Sequence, residues 1–206
     1  GRNAVAGLLL AACFAEVGLG TVKTLGGERP DNIKLYRSRN QGANWEAVGG
    51  GLPRSARINA LVEVGGRVVA GTDSGAHHSE DEGATWRPAK GDGGPTTRVL
   101  ALGQIPGRLF AGTDNRGVLQ SEDRGETWKP TGPGVKGGAI RSLLGVGAVL
   151  YVGTDHGGVW ISANGGETWN NQSEGLPAHS QVFGLDEHGG KVYAGLYSKG
   201  LYAWEA

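Results

Sequence analysis

This sequence is short of cysteine, of methionine and of any excess of charge, and each shortage removes a class of explanation. A single thiol, Cys13, cannot form an intramolecular disulfide, so a core and backbone pairing must hold the fold. Twenty basic side chains balance 20 acidic ones with no basic block, which argues against nucleic acid as a partner, because neutralising phosphates needs clustered Lys and Arg. The longest apolar run, Ala4 to Ala15, falls short of the roughly 20 residues of a membrane-spanning helix. It reads as ordered strand, with Cys13 as a small buried hydrophobe, and no membrane span is expected.

Glycine, by contrast, supplies 40 of the 206 residues, a level that suits either low complexity or a repeat with many tight turns. The glycines recur with a period. Four stretches align: Ser38-Arg39-Asn40-Gln41-Gly42-Ala43-Asn44-Trp45, Ser79-Glu80-Asp81-Glu82-Gly83-Ala84-Thr85-Trp86, Ser121-Glu122-Asp123-Arg124-Gly125-Glu126-Thr127-Trp128 and Ser162-Ala163-Asn164-Gly165-Gly166-Glu167-Thr168-Trp169, spaced by 41, 42 and 41 residues. A second element recurs upstream of three of them, as Ala70-Gly71-Thr72-Asp73, Ala111-Gly112-Thr113-Asp114 and Val152-Gly153-Thr154-Asp155, with Ala194-Gly195-Leu196-Tyr197 in the last, truncated copy.

A period of about 41 residues built from short alternating β runs and Gly-rich turns is the signature of propeller blades, each a four-stranded antiparallel meander. In one repeat the inner strand falls near Arg98 to Leu102, the second near Arg108 to Gly112, the third near Gly117 to Ser121, and the outer one begins at Thr127-Trp128. The expectation is therefore an all-β chain, one domain over residues 1–206, forming a five-bladed β-propeller. Ala4-Val5-Ala6-Gly7 is read as an outer strand that completes the C-terminal blade and closes the ring. The rival architecture is part of a six- or seven-bladed ring that closes by oligomerising.

The Ser-x-Asp-x-Gly-x-Thr-Trp stretches resemble the Asp-box, or bacterial neuraminidase repeat, of sialidases, xyloglucan-cleaving glycosidases, sortilin-type receptors and photosystem II assembly factors. Asn40 and Asn164 stand where the pattern has Asp, and Asn44 where it has Thr. Physically the box is a turn between third and outer strands: Asp81 or Asp123 accepts backbone N–H bonds, Gly83 or Gly125 supplies a positive φ, and the Trp packs between blades. A near-identical carboxylate in every blade suits turn stabilisation better than catalysis, which needs one asymmetric constellation.

The resemblance implies that a site would lie on the face opposite the boxes, at the axial mouth. Candidates there are Arg57, Arg98 and Arg141, whose planar donor forks suit an oxyanion, and the repeated acids Asp73, Asp114 and Asp155. The same arginines and acids can equally form a structural charge ring. His156 and Tyr197 depart from the repeat and are candidates for that reason. His77-His78 are adjacent on a strand and point to opposite faces, so no transition-metal site is expected, and no cofactor is implied.

Three readings of function stay open. The leading one is a non-catalytic, exported, monomeric propeller, extracellular or periplasmic, that binds a carbohydrate or anionic ligand, or a protein surface, at the mouth. The second is a glycoside hydrolase or lyase using carboxylates among Asp31, Asp73, Asp114 and Asp155. The third is a scaffold propeller, engineered or truncated, with no ligand.

Overall fold

A computed structural model describes residues 9–12, 35–54, 56–94 and 96–205. Every regular element among them is a strand, and the strands form five sheets in chain order, antiparallel throughout except that the short strand Lys90–Gly91 joins the edge of the third sheet by pairing parallel to Thr127–Trp128. The second sheet is Ile58–Val64, Arg67–Thr72, Gly75–Ser79 and Arg87–Pro88. The third is Val99–Ile105, Arg108–Thr113, Val118–Ser121 and Thr127–Pro130, and the fourth is Ile140–Val146, Val149–Thr154, Val159–Ser162 and Asn170–Asn171. Within each, consecutive strands pair by short turns, as a four-stranded meander requires. The strands expected from sequence alternation in the third sheet agree with these bounds to within a few residues.

The two end sheets have three described strands each. The fifth is Val182–His188, Lys191–Leu196 and Gly200–Glu205. The first is Leu9–Ala12, Leu35–Ser38 and Glu46–Val48. Its register fixes which strand is absent from that description. Leu9 lies opposite Ser38 just as Val68 lies opposite Ser79, Leu109 opposite Ser121 and Leu150 opposite Ser162. Leu9–Ala12 thus fills the slot of a second strand. The closing strand expected at Ala4 to Gly7 lies outside the described residues, and no described strand pairs the fifth sheet with the first.

The core is divided in the same way as the sheets, with one apolar cluster at each of the four junctions. Leu35 of the first sheet joins Ile58, Val68, Ala70 and Trp86 of the second. Val69 and Ala76 meet Val99, Leu109, Leu119 and Trp128 of the third, Phe110 and Val118 meet Ile140, Leu150, Val152 and Trp169 of the fourth, and Tyr151 and Val159 meet Val182, Val192 and Ala194 of the fifth. Each buried large side chain of this kind contributes about 1.5–3 kcal/mol, so no single junction dominates. Close approach is enforced by glycine: a methyl group added at Gly71 would stand 2.6 Å from Val99 Cγ1, and one at Gly112 would stand 2.5 Å from Ile140 Cγ2. Polar stitches run alongside. Buried Arg37 donates to the carbonyls of Asp81 and Glu82, Arg67 to that of Asp123, and Arg108 to that of Gly165, each reaching the following sheet's box turn.

Candidate functional site

Antiparallel meanders put the box turns at one end of every sheet and the Gly-Thr-Asp turns at the other, and the two ends are built differently. At the box end the same bonds recur. Ser79 Oγ donates to Asp81 Oδ1 at 2.8 Å and accepts from the Gly83 N–H at 2.8 Å, while Asp81 accepts from the N–H and Oγ1 of Thr85 at 2.8 and 2.6 Å. Ser121, Asp123, Gly125 and Thr127 repeat this arrangement. Asn164 keeps it by accepting from the Thr168 N–H and donating to its hydroxyl, and Asn40 keeps it toward the Asn44 N–H. Gly42, Gly83, Gly125 and Gly166 sit at φ of 89°, 86°, 88° and 88°, where a side chain is strained. Hydrogen bonds from Thr85 pull the Asp81 carboxyl down to about 2, so it is a committed acceptor rather than a proton donor. These carboxylates are turn hardware.

The opposite end starts from a β-bulge. Pairing of the inner with the second strand skips one residue in each of the last four sheets: Ile58 and Ala60 pair with Thr72 and Gly71, leaving Asn59 extra, and Leu100, Arg141 and Phe183 are extra in the same way. A bulge re-aims its side chain, and here three of the four, Asn59, Arg141 and Phe183, meet the turn fourteen residues downstream. Asn59 donates to Asp73 Oδ1 at 2.9 Å. Arg141 makes a two-pronged contact with Asp155, at 2.9 and 2.8 Å. Phe183 packs its ring 5.5 Å from that of Tyr197. Leu100 has nothing to donate, and Oδ1 of its counterpart Asp114 is buried without a hydrogen-bond partner.

The sequence-derived candidates fall into this frame unevenly. The carbonyls of Arg57, Arg98, Ala139 and Gln181 accept from the N–H groups of Asp73, Asp114, Asp155 and Tyr197, so these four are the structurally equivalent positions. Arg57 and Arg98 are therefore counterparts of each other, and Arg141 is not their counterpart. Arg141 sits two residues beyond Ala139, on the bulge. Arg98 reaches across the junction to Asp73 at 2.9 Å, and Asp73 and Asp155 are thereby each joined to a guanidinium. The Arg57 side chain is exposed, makes no hydrogen bond among the described residues, and acts on Asp73 through its charge. His156 is exposed beside Asp155, and Tyr197 is exposed.

Electrostatics separate the members further. Bonding to Arg141 holds the Asp155 carboxyl below its ordinary range and raises Arg141 in turn. Burial pushes Asp73 up, but the bonds from Asn59 and Arg98 outweigh it and leave it low. The Arg141 guanidinium also lies 5.2 Å from the centre of the Phe183 ring, which joins the charged and aromatic positions into one surface. Sequence reading passed over Asn59, Leu100 and Phe183, because a one-residue bulge has no composition signature. The signal that would have found them is the fixed spacing of fourteen to Asp73, Asp114 and Tyr197.

His77 and His78 lie opposite Ala70 and Val69, and both are buried with Nδ1 unpartnered. Burial lowers the pKa of each. His77 fills in the second sheet the place that Leu119 fills in the third, which makes it a core residue.

No sequence family matches the chain, and no curated protein does. Solved structures do resemble it. The extracellular domain of a one-component system from B. thetaiotaomicron superposes with a TM-score of 0.65 at 17% identity, over 84% of this chain and 24% of that one. The GH74 xyloglucanase from Xanthomonas campestris gives 0.62 at 18%, over 81% and 31%, and YCF48 bound to D1 peptide gives 0.59 at 18%, over 84% and 58%. The chain thus spans between a quarter and three fifths of the length of these proteins. At such identities the likeness shows the fold, a run of propeller-type antiparallel sheets, and leaves activity open.

Proposed function

We propose that this chain is a non-catalytic binding propeller whose ligand sits on the mouth formed by the four bulges. The observation that carries this reading is the chemistry of the bulge positions: Asn59, Leu100, Arg141 and Phe183 differ on a shared backbone, whereas the box turns repeat. An exposed aromatic pair beside a guanidinium, with Asp114 Oδ1 unpaired and Arg57 exposed, suits a ligand with hydroxyl groups and an anionic group, such as an acidic sugar, or a peptide ending in a carboxylate. YCF48 in complex with a peptide supports the protein-partner form of this reading. The extracellular neighbour supports a location outside the cytoplasm.

A glycoside hydrolase is the second reading, favoured by the GH74 neighbour and by Asp114. It needs two carboxyl groups in contrasting environments, one held protonated. Asp73 and Asp155 are both held as anions by cations or amides, which favours binding over hydrolysis.

A thermal-shift screen against neutral and uronic oligosaccharides, sialylated glycans, simple anions and carboxylate-terminated peptides tests the proposal. Ligand at a hundred times its dissociation constant should stabilise by about 2.7 kcal/mol. The expected result is a shift with an anionic class, lost in Arg57→Ala and Phe183→Ala. A shift that survives both substitutions, or release of sugar from any polysaccharide, would contradict it.

A further inference from the structure

The second, third and fourth sheets are each covered on both sides, and the repeated positions measure what is absent at the two ends. In the third strands, Leu35, Ala76, Val118 and Val159 are 0%, 1%, 4% and 0% exposed, because each meets the next sheet. Leu201 occupies the same register position in the fifth sheet, opposite Gly195, and is 69% exposed. Glycine gives an independent measure. A methyl group at Gly71, Gly112 or Gly153 would come within 2.7 Å of Val99, Ile140 or Val182 of the following sheet. At Gly195, the equivalent position, the nearest atom is the carbonyl oxygen of Gly184 in its own sheet, 3.9 Å away. Lys191 stands where Arg67 and Arg108 reach the next sheet's turn, and it pairs instead with Glu205 of its own sheet.

The other end of the chain shows the complementary face. Trp86, Trp128 and Trp169 are 4%, 3% and 8% exposed, and they share their clusters with Leu35, Ala76 and Val118 of the preceding sheets. Trp45, the box tryptophan of the first sheet, is only half-buried. Among the described residues, two halves of the repeated junction therefore stand unmatched: an aliphatic third strand with its glycine on the fifth sheet, and a box tryptophan on the first.

We propose that the uncovered face of the fifth sheet is a docking surface for the first sheet of a second copy of this chain, with Trp45 of one copy seated against Leu201 and Gly195 of the other. The contact is head to tail, so it uses two different surfaces and generates a ring where the rotation closes. It differs from the monomer expected from the sequence. Self-complementarity follows from the repeat itself, because the same two faces already mate within the chain between the first and second, second and third, and third and fourth sheets.

Sedimentation velocity across a wide range of protein concentration, with tryptophan fluorescence read in parallel, tests this. The wild-type chain should associate as concentration rises, with a blue shift as Trp45 leaves water. Gly195→Leu has room in the single chain and should keep its fold by circular dichroism, yet associate at least tenfold more weakly; Leu201→Glu should do the same. A wild-type chain that stays monomeric up to its solubility limit would overturn the proposal. So would association undiminished in both variants. A monomeric wild type in which Gly195→Leu lowers the melting temperature would also overturn it, by showing that the chain covers this face itself.

Discussion

The two ends of the sheets obey opposite rules. At the box end, four copies make the same serine-to-carboxylate or serine-to-amide bridge, the same positive-φ glycine and the same N–H acceptance, and substitution of Asp by Asn is absorbed without loss of the turn. At the bulge end, the backbone is shared but the four bulge residues are an amide, an aliphatic, a guanidinium and a phenyl ring. Repetition marks what folding needs in every sheet. Departure from repetition, on an unchanged backbone, marks where a ligand would find something to distinguish.

The box tryptophans give the largest expected effect. Trp128→Ala opens the junction of the second and third sheets and should cost about 3–5 kcal/mol in urea unfolding, whereas Trp45→Ala, on a half-buried ring, should cost less than about 1 kcal/mol in the dilute chain. Equal costs would mean that the first sheet's face is covered after all.

Histidine gives the next effect. His77 is buried and its pKa is lowered, so the unfolded chain binds a proton that the folded one resists, and stability falls as pH drops below about 6.5. His77→Leu, which copies Leu119, should flatten stability between pH 6.5 and the pH where carboxylates protonate, a range read by thermal melts at stepped pH. An unchanged slope would show that His78 or another group carries it.

The smallest effect should come from the box carboxylate. Asp81 titrates at about 2 in the folded chain, so its contribution is complete above its ordinary value near 4 and fades as pH falls toward 2. Asp81→Asn, which copies Asn40 and Asn164, should be near neutral at pH 7 and remove that fraction of the acid loss, while Asp81→Ala should cost roughly 1 kcal/mol for the missing acceptor. A large loss in Asp81→Asn would give this carboxylate a role beyond the turn.

The fold was largely legible because period and alternation are written in side chains: the Ser-to-Trp spacing located the turns, and the strands around Phe110 and Leu119 follow from alternation. The bulge end was legible only in part. Asp73, Asp114 and Asp155 stand at the expected turn, and Arg141, grouped with Arg57 and Arg98 as a candidate, lies two residues beyond their equivalent position at Ala139, since register and the bulge, rather than proximity in sequence, decide which positions correspond. The ends were the least legible, because exposure of Leu201 and of Trp45 depends on which sheet lies beside them.

The central claim, that function resides at the bulges and not at the boxes, is tested most directly by placing the same perturbation at both ends and reading ligand-induced thermal shift. Leu100→Arg supplies Asp114 with the partner that Asp155 has in Arg141, and Asp123→Asn alters a box carboxylate while keeping its turn. The account predicts that Leu100→Arg changes which ligands stabilise the chain and that Asp123→Asn leaves the profile as it was. The reverse outcome, an altered profile in Asp123→Asn and an unaltered one in Leu100→Arg, would contradict it.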